Sequence, residues 1–163
     1  MIYRRYFLFL FFILVSSNAH ASDWYIEVHS WGIALNAKVP SGSKRVFAIN
    51  FEYERGCDPL FSSYTPWSGK MGSVRSIHTL QPNTAFLRIN QNFYSFHGAI
   101  VRYTNTTETS IGITNDAWQA LLRNQSNILF YENNRNGFPV PGYGLSGMLS
   151  SGLRLCMQNL RNQ

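Results

Sequence analysis

The clearest alternation of apolar and polar side chains runs from Arg45 to Tyr53. One side of this segment carries Phe47, Ile49, Phe51 and Tyr53, and the other carries Val46, Ala48, Asn50 and Glu52. A period of two is typical of a strand with one face in a core, so the pattern predicts a β-strand here. Partial alternation over residues 24–37 predicts an earlier strand, in which Gly32 is a break or a bulge.

The middle of the chain continues with short strand-like segments separated by polar residues. Residues 73–80, 85–90 and 92–103 each predict a strand, and residues 90–92 (Asn-Gln-Asn) predict a tight hairpin turn. Residues 127–131 (NILFY) predict a short apolar strand further on. Residues 104–109 are polar and are expected to form a turn.

Residues 55–72 have a different composition, with two prolines, three glycines and several serines between aromatic residues. Long loops of this kind are often functional or poorly ordered. The sequence therefore predicts a long ordered loop, held at Cys57, that carries Tyr64 and Trp67.

Two helices are predicted towards the end of the chain. Thr114 or Asn115 can cap a helix that continues through residue 123. From about residue 145 to 159, apolar residues recur at spacings of three and four and form a single face that includes Cys156. Glycines are weak helix formers, so those in this helix are expected to allow close approach to the sheet. The fold class expected is therefore mainly β, as a β-sandwich or a sheet-rich α+β fold, with one short internal helix and a C-terminal amphipathic helix packed on the sheet.

The first 21 residues have the three-part plan of a secretory signal peptide. Arg4 and Arg5 precede ten apolar residues, 6–15, and Ala19 and Ala21 fit the small-residue rule for cleavage. The apolar run is shorter than the roughly 17 to 25 residues of a membrane-spanning helix. We expect cleavage after Ala21, with residues 22–163 forming a single exported β-rich domain that is soluble and periplasmic or secreted. The alternative is an uncleaved N-terminal anchor.

The charge pattern bears on the partner. The formal net charge of +6 falls to +4 when Arg4 and Arg5 are removed with the leader. The remaining basic residues are scattered singly, except for the adjacent pair Lys44 and Arg45, whereas nucleic-acid binders usually cluster them. We therefore expect no nucleic-acid partner, and the mild basicity is compatible with peripheral association with anionic envelope polymers or lipids.

The chain has two cysteines, Cys57 and Cys156, which are separated by 99 positions. An isolated pair in an exported protein usually forms a disulfide. Closing a loop of ~100 residues contributes up to about 4.7 kcal/mol in the chain-entropy model. The alternative is that the two cysteines are unrelated thiols and that one of them is catalytic. The sequence contains no CxxC motif that would support this alternative.

Motifs for catalysis or cofactors are not evident. His29, His78 and His97 lack metal-ligand spacing, and the sequence contains no GxSxG, phosphate-binding or dinucleotide-binding motif, so no metal or cofactor is expected. Glu52 and Glu54 would lie about 6.6 Å apart on one strand face, at ~3.3 Å per residue, near the spacing of paired glycosidase carboxylates. The alternative is that both are exposed carboxylates at the end of an edge strand.

Aromatic residues are numerous and irregularly placed. Tyrosine and tryptophan at a surface make effective anchors for proteins or sugars. Tyr64 and Trp67, on the predicted loop, are the candidate partner-binding residues. In the alternative interpretation these rings cover a sheet face beneath the loop.

The last third of the chain has a characteristic order of elements. A capped helix from Asp116 precedes a short strand at residues 128–131, an extended Phe138-Pro139-Val140, and an amphipathic helix that enters at Gly144 and reaches Cys156. This order resembles the C-terminal half of the invasion-associated locus B-like proteins, which are small periplasmic or secreted bacterial domains. The resemblance implies a β-sandwich with a helical ending, and it implies no catalytic residue.

The function expected is that of a non-catalytic exported bacterial envelope protein that binds another protein. Accessory roles in secretion, conjugation or virulence, and an immunity or inhibitor role, all fit this expectation. The alternative is a periplasmic hydrolase that acts on cell wall or sugar through Glu52, Glu54 or Asp58. A cleft that combines two of these carboxylates with a histidine would favour the hydrolase, and an exposed aromatic patch would favour binding.

Overall fold

A computed structural model describes residues 22–38, 42–81, 84–95, 97–123, 127–133 and 136–162. Two antiparallel sheets and two helices make up this part of the chain, so the predicted fold class is confirmed. The predicted signal peptide and its cleavage site lie outside the described residues, apart from Ser22 on the C-terminal side of the cut.

The larger sheet has seven strands in the order β1-β2-β3-β4-β9-β8-β5, with every neighbouring pair antiparallel. In chain order these strands are β1 (Trp24–His29), β2 (Gly32–Ala37), β3 (Val46–Glu52), β4 (Pro59–Thr65), β5 (Val74–Thr79), β8 (Gly98–Tyr103) and β9 (Thr107–Gly112).

The smaller sheet has four strands in the order β11-β10-β6-β7. These are β6 (Ala85–Ile89), β7 (Asn92–Ser95), β10 (Ile128–Glu132) and β11 (Phe138–Val140). The hairpin predicted at residues 90–92 is confirmed, since Asn90 and Gln91 join β6 to β7 and Ile89 pairs with Asn92. The helices are α1 (Asn115–Arg123) and α2 (Leu145–Leu160).

The core lies between the two sheets and under the helices. Phe130 of the smaller sheet packs between Phe47 and Phe61 of the larger one, with ring centroids 6.0 and 5.4 Å away. A buried polar link joins the sheets beside these rings, because Arg45 donates to Glu132 at 3.1 Å and to Ser63 at 2.6 Å.

Helix α2 packs on β1, β2 and β3 and against α1, with Cys156 fully buried on its inner face. The predicted Cys57–Cys156 disulfide is formed, with Cα atoms 6.0 Å apart. Gly152 faces the sheet, where a Cβ would lie 2.8 Å from Phe51 and 2.9 Å from Leu35. The predicted role of a helix glycine in close approach is therefore confirmed at this position.

Two sequence predictions need correction in the N-terminal half. Residues 24–37 form two strands, β1 and β2, rather than one, and Ser30 and Trp31 turn the chain between them. Gly32 pairs with His29 at the end of this hairpin, and a Cβ there would lie 2.1 Å from the carbonyl oxygen of Phe51. Glycine is therefore required because a neighbouring strand passes directly against it.

The predicted loop at residues 55–72 is also wrong in its first half, because β4 occupies Pro59–Thr65 at the centre of the larger sheet. Ser62 and Ser63 are fully buried on opposite faces of β4 and obscure the alternation that would identify a strand. Two smaller predictions also need correction. The predicted strand at residues 92–103 is divided between β7 and β8. The predicted turn at residues 104–109 ends earlier, because β9 begins at Thr107.

Within the described ranges, neither helix has the length and apolar character needed to cross a membrane.

A candidate ligand-binding cleft on the larger sheet

The larger sheet has an outer face, turned away from the smaller sheet. Strand alternation assigns its residues: Ile49 and Phe61 pair on the core side, so Asn50 and Ser62, one position on, and Tyr64, three positions after Phe61, point outward. Glu108 of β9 pairs with Tyr64 and joins the same face. This face therefore carries a band of polar side chains at its centre.

Those side chains form a hydrogen-bonded network around one buried carboxylate. Glu108 accepts from the hydroxyl groups of Ser62 at 2.8 Å, Tyr64 at 3.1 Å and Tyr103 at 3.0 Å. The side-chain amide of Asn50 donates to Ser62 and Tyr64 at 3.3 and 3.4 Å. A carboxylate with several donors is well satisfied in a buried setting, and the network fixes the ring of Tyr64.

The network also affects the pKa of its two tyrosines. Burial, and then the charge of Glu108, raise the pKa of Tyr64 well above its usual value. The same two causes raise the pKa of Tyr103. A tyrosine is neutral at physiological pH even without this shift, so the shift keeps both phenols as hydrogen-bond donors further into the alkaline range.

The predicted binding residues Tyr64 and Trp67 lie close together, with ring centroids 5.6 Å apart. Tyr64 belongs to β4 and is only 8% exposed, which corrects the expectation that it lies on a loop. Trp67 is half-buried just beyond the strand, and its backbone N–H donates to the carbonyl of Lys44 at 2.8 Å. Tyr64 therefore covers the sheet, as in the alternative interpretation, whereas Trp67 borders solvent, and the binding role of both residues stays a prediction.

The segment that follows Trp67 is held in place by one side chain. The amide group of Asn105 accepts from the backbone N–H of Gly72 at 2.7 Å, and it donates to the carbonyl of Lys70 at 2.8 Å and to Ser68 at 3.1 Å. Residues 67–71 are thereby fixed as one wall above the outer face.

A cleft of about 360 Å³ lies between this wall and the first hairpin. We name it the aromatic cleft, and its side chains fall into two groups. Its apolar and aromatic lining includes Tyr25, Trp31, Tyr64, Trp67 and Met71, and its polar lining includes Glu27, His29, Asn36, Asn50 and Lys70. Tyr25, Trp31 and Met71 are each between 42% and 49% exposed, so the cleft is open to solvent.

The hairpin side of the aromatic cleft is ordered by short contacts. The imidazole of His29 stacks on Trp31, with centroids 4.8 Å apart and an angle of 6° between the planes. Glu27 accepts from the side chain of Asn36 at 2.7 Å, and the same carboxylate oxygen lies 3.5 Å from Nε2 of His29. Aromatic rings and polar groups thus converge on one concave surface, which is the usual composition of a ligand site.

The three carboxylates considered for catalysis do not converge. Strand β3 ends at Glu52, and Glu54 is exposed on the single 3₁₀ turn Tyr53–Arg55, so the expectation of a shared strand face is wrong. Asp58 borders a separate depression, which includes Trp118 and Leu153. Burial raises the pKa of Glu52, and the charges of Glu108 and Glu54 raise it further, while the neighbouring Arg55 lowers it.

Metal-ligating side chains are also dispersed. Across the part of the chain that the structure describes, no three His, Cys, Asp or Glu side chains are grouped so that they could hold a metal ion.

The structure adds residues that the sequence did not single out as binding residues. Tyr25 and Trp31 belong to the aromatic cleft because β1 and β2 form a hairpin, and Glu108 belongs to the network because β9 pairs with β4. Trp31 stands out in the sequence as an aromatic residue, but only the pairing of distant strands brings it into the same cleft as Trp67.

A second aromatic cluster lies on the outer face of the smaller sheet. Phe86 and Tyr131 are paired across β6 and β10 and stack with centroids 4.8 Å apart, and Phe93 contacts both rings. Phe93 is 62% exposed, but these rings cover a sheet surface without forming a concave site with converging polar groups.

Comparison with known proteins adds no relative: no protein-family model, curated protein or solved structure matches this chain. The resemblance of the last third of the chain to the invasion-associated locus B-like proteins therefore stays a prediction.

Proposed function

We propose that this protein is a non-catalytic exported domain that binds another protein through the aromatic cleft. The observation that carries the proposal is the convergence of Tyr64 and Trp67 with Trp31 and Tyr25 on one open concave surface. Tryptophan and tyrosine in desolvated pockets dominate the binding energy of many protein interfaces.

The rigidity of the rings supports this function. Hydrogen bonds to Glu108 and Asn50 hold Tyr64, and backbone contacts with Lys44 and Asn105 hold the segment around Trp67. A partner that binds prepositioned rings loses less conformational entropy than one that must order them.

Two features support a location outside the cytoplasm. The N-terminal sequence has the plan of a signal peptide, and the fold contains a disulfide, which is usual in oxidising compartments. We therefore propose a periplasmic or secreted protein of the bacterial envelope, as an accessory of secretion, conjugation or virulence, or as an immunity or inhibitor protein.

Site-specific photo-crosslinking tests the proposal. A photoreactive amino acid at Met71, on the wall of the aromatic cleft, should give an adduct with one protein in cells that export the domain. With that partner purified, Trp67→Ala should weaken binding by ~2 kcal/mol, which is about thirtyfold in Kd, as expected of a hot spot.

Phe93→Ala is the matched control, because it removes an exposed ring from the outer face of the other sheet. It should leave the affinity unchanged, and circular dichroism should confirm that each variant is folded. The proposal is wrong if folded Trp67→Ala and Trp31→Ala variants bind the partner as the wild type does, or if the crosslinked product is a glycan.

One feature favours the alternative function, a cell-wall or sugar hydrolase. Burial raises the pKa of Glu52, and general acids are often carboxyl groups with a raised pKa. Glu52→Gln and Glu54→Gln separate the two functions. Binding should survive both changes, whereas loss of a cell-wall-hydrolysing activity in folded Glu52→Gln would establish the hydrolase instead.

A further inference from the structure

The chemistry of the aromatic cleft indicates what part of a partner enters it. We propose that the cleft receives an arginine side chain of the partner protein, an inference that rests on the proposed binding function. The guanidinium would lie against the ring faces and pair with the carboxylate of Glu27.

The rings supply the first part of the argument. Four aromatic side chains line the cleft: Tyr25, Trp31, Tyr64 and Trp67. The face of an aromatic ring carries negative potential and attracts cations, most strongly for tryptophan, and the planar guanidinium of arginine also stacks on such faces. A cleft with two tryptophans and two tyrosines therefore favours a cationic planar group over a neutral aliphatic one.

The carboxylate supplies the second part. Glu27 lies in the cleft wall, and its side chain is 49% exposed. Its contacts with Asn36 and His29 both use Oε2, so Oε1 is the oxygen that we assign to the incoming guanidinium. The contact with Asn36 orients the carboxylate before any ligand arrives, and carboxylate is the group that the arginine fork matches best.

The charges around the cleft determine whether it favours a cation or an anion. Among the lining residues, Glu27 and Lys70 carry opposite charges, and His29 adds a group that is charged only when protonated. Glu108 adds a buried negative charge beneath Tyr64. With His29 counted as neutral, Glu27 and Lys70 cancel, and the buried Glu108 leaves one net negative charge at the cleft. The domain without residues 1–21 has an expected net charge of +4, so this local negative charge is the complementarity that a basic ligand requires.

A titration with Nα-acetyl-L-arginine N-methylamide tests the inference without knowledge of the partner. The indole N–H signals of the four tryptophans can be followed by NMR. Those of Trp31 and Trp67 should shift on saturation. Those of Trp24, which is buried and donates to the carbonyl of Pro141, and of Trp118, which packs on Phe51, should stay fixed.

The citrulline analogue is the matched control, because it has nearly the same shape without the charge. Its affinity should be at least tenfold lower. Equal affinity for the two probes, or the absence of saturable shifts at Trp31 and Trp67 with the arginine probe, would overturn the inference.

Two variants test the sign of the electrostatic contribution. Glu27→Gln should weaken binding of the arginine probe, and Lys70→Gln should strengthen it, each by about twofold to fivefold, as expected for partly exposed charges. Changes of the opposite sign, or no change in either variant, would mean that the guanidinium does not lie beside Glu27 and would contradict the inference.

The proposed function and this inference fail separately. If the purified partner loses affinity for Trp67→Ala but binds Glu27→Gln as well as the wild type, the protein-binding function stands and the arginine assignment is wrong. If neither variant changes partner binding, the cleft is not the interface and the proposed function itself fails.

Discussion

One missing methyl group at Gly152 sets the distance between helix α2 and the larger sheet. The residue is buried over Phe51 and Leu35, whose side chains are both fully buried and lie 2.8 and 2.9 Å from the position of an added Cβ. Gly147, five positions earlier in the same helix, is exposed and has no atom within 4 Å of a Cβ built on it. The same residue type therefore has a packing function at one position and none at the other.

This contrast makes a matched prediction. Gly147→Ala should stabilise the protein by about 0.5–1 kcal/mol, the gain in helix propensity, whereas Gly152→Ala should destabilise it, because overpacking costs about 1–3 kcal/mol and exceeds that gain. Chemical denaturation of the two variants beside the wild type measures both effects. A stabilised Gly152→Ala variant would mean that α2 does not lie as close to β2 and β3 as described.

At the residue scale, the sequence predicts which side chains can bond or bind better than it predicts where those side chains lie in the fold. Cys57 and Cys156 could be paired because they are the only cysteines of the chain. Tyr64 could be recognised as a candidate, but its place in a strand could not, because Ser62 and Ser63 occupy buried positions that usually hold apolar residues. They are tolerated there because they hydrogen-bond to Glu108 and Arg45, and those partners are far away in the sequence.

At the scale of elements, α2 depends on tertiary contacts rather than on its own propensity. It contains two glycines, begins after Gly144 in a left-handed conformation with no side-chain cap, and has no basic residue in its last turn. Such a helix is held by its buried face and by the disulfide that joins Cys156 to the turn after β3.

Loss of the disulfide should therefore lower the stability of the whole domain. Replacing both Cys57 and Cys156 with alanine should lower the free energy of unfolding by several kcal/mol, up to about 4.7 kcal/mol for a loop of ~100 residues. Reduction of the wild type should have a comparable effect in urea denaturation followed by circular dichroism. Identical unfolding midpoints for the oxidised and reduced proteins would contradict this prediction.

Elements with a regular pattern of apolar residues can be predicted from the sequence. Elements whose ends are set by contact with a neighbouring strand cannot. β3, α1 and α2 each have a clear period, β10 is a short apolar run, and all four lie within a few residues of their predicted bounds. The β1–β2 hairpin was predicted as one strand, since Ser30 and Trp31 carry no glycine or proline signal and Gly32 is fixed by the approach of β3.

For the whole molecule, the two-layer arrangement decides which surface is available for binding. The smaller sheet and the helices cover one face of the larger sheet, and the polar link between Arg45 and Glu132 ties the layers together. The other face stays open, and the first hairpin and the segment after β4 border it. Nothing in the local sequence pattern reveals this, because it depends on the order of seven strands.

The leader prediction also belongs at this scale, since it decides where the molecule acts. Export should remove residues 1–21, because Ala19 and Ala21 satisfy the small-residue rule for signal peptidase. N-terminal sequencing of the exported protein should therefore begin at Ser22. A membrane-bound product that retains Met1 would contradict this prediction and support the uncleaved anchor.

The disulfide divides the chain in a way that affects its response to mechanical force. A pull on the two ends of the domain can extend the segment before Cys57 and the few residues after Cys156, but the ring that the disulfide closes, which spans 99 sequence positions, bears no tension while the bond is intact. About 350 Å of chain, at roughly 3.6 Å per residue, is thereby withheld from stretching. Strands β1, β2 and β3 lie outside the ring, and they include the hairpin that forms one side of the aromatic cleft. A load on the ends of the domain would therefore act first on these three strands and on the side of the aromatic cleft that their hairpin forms, while the ring stays closed.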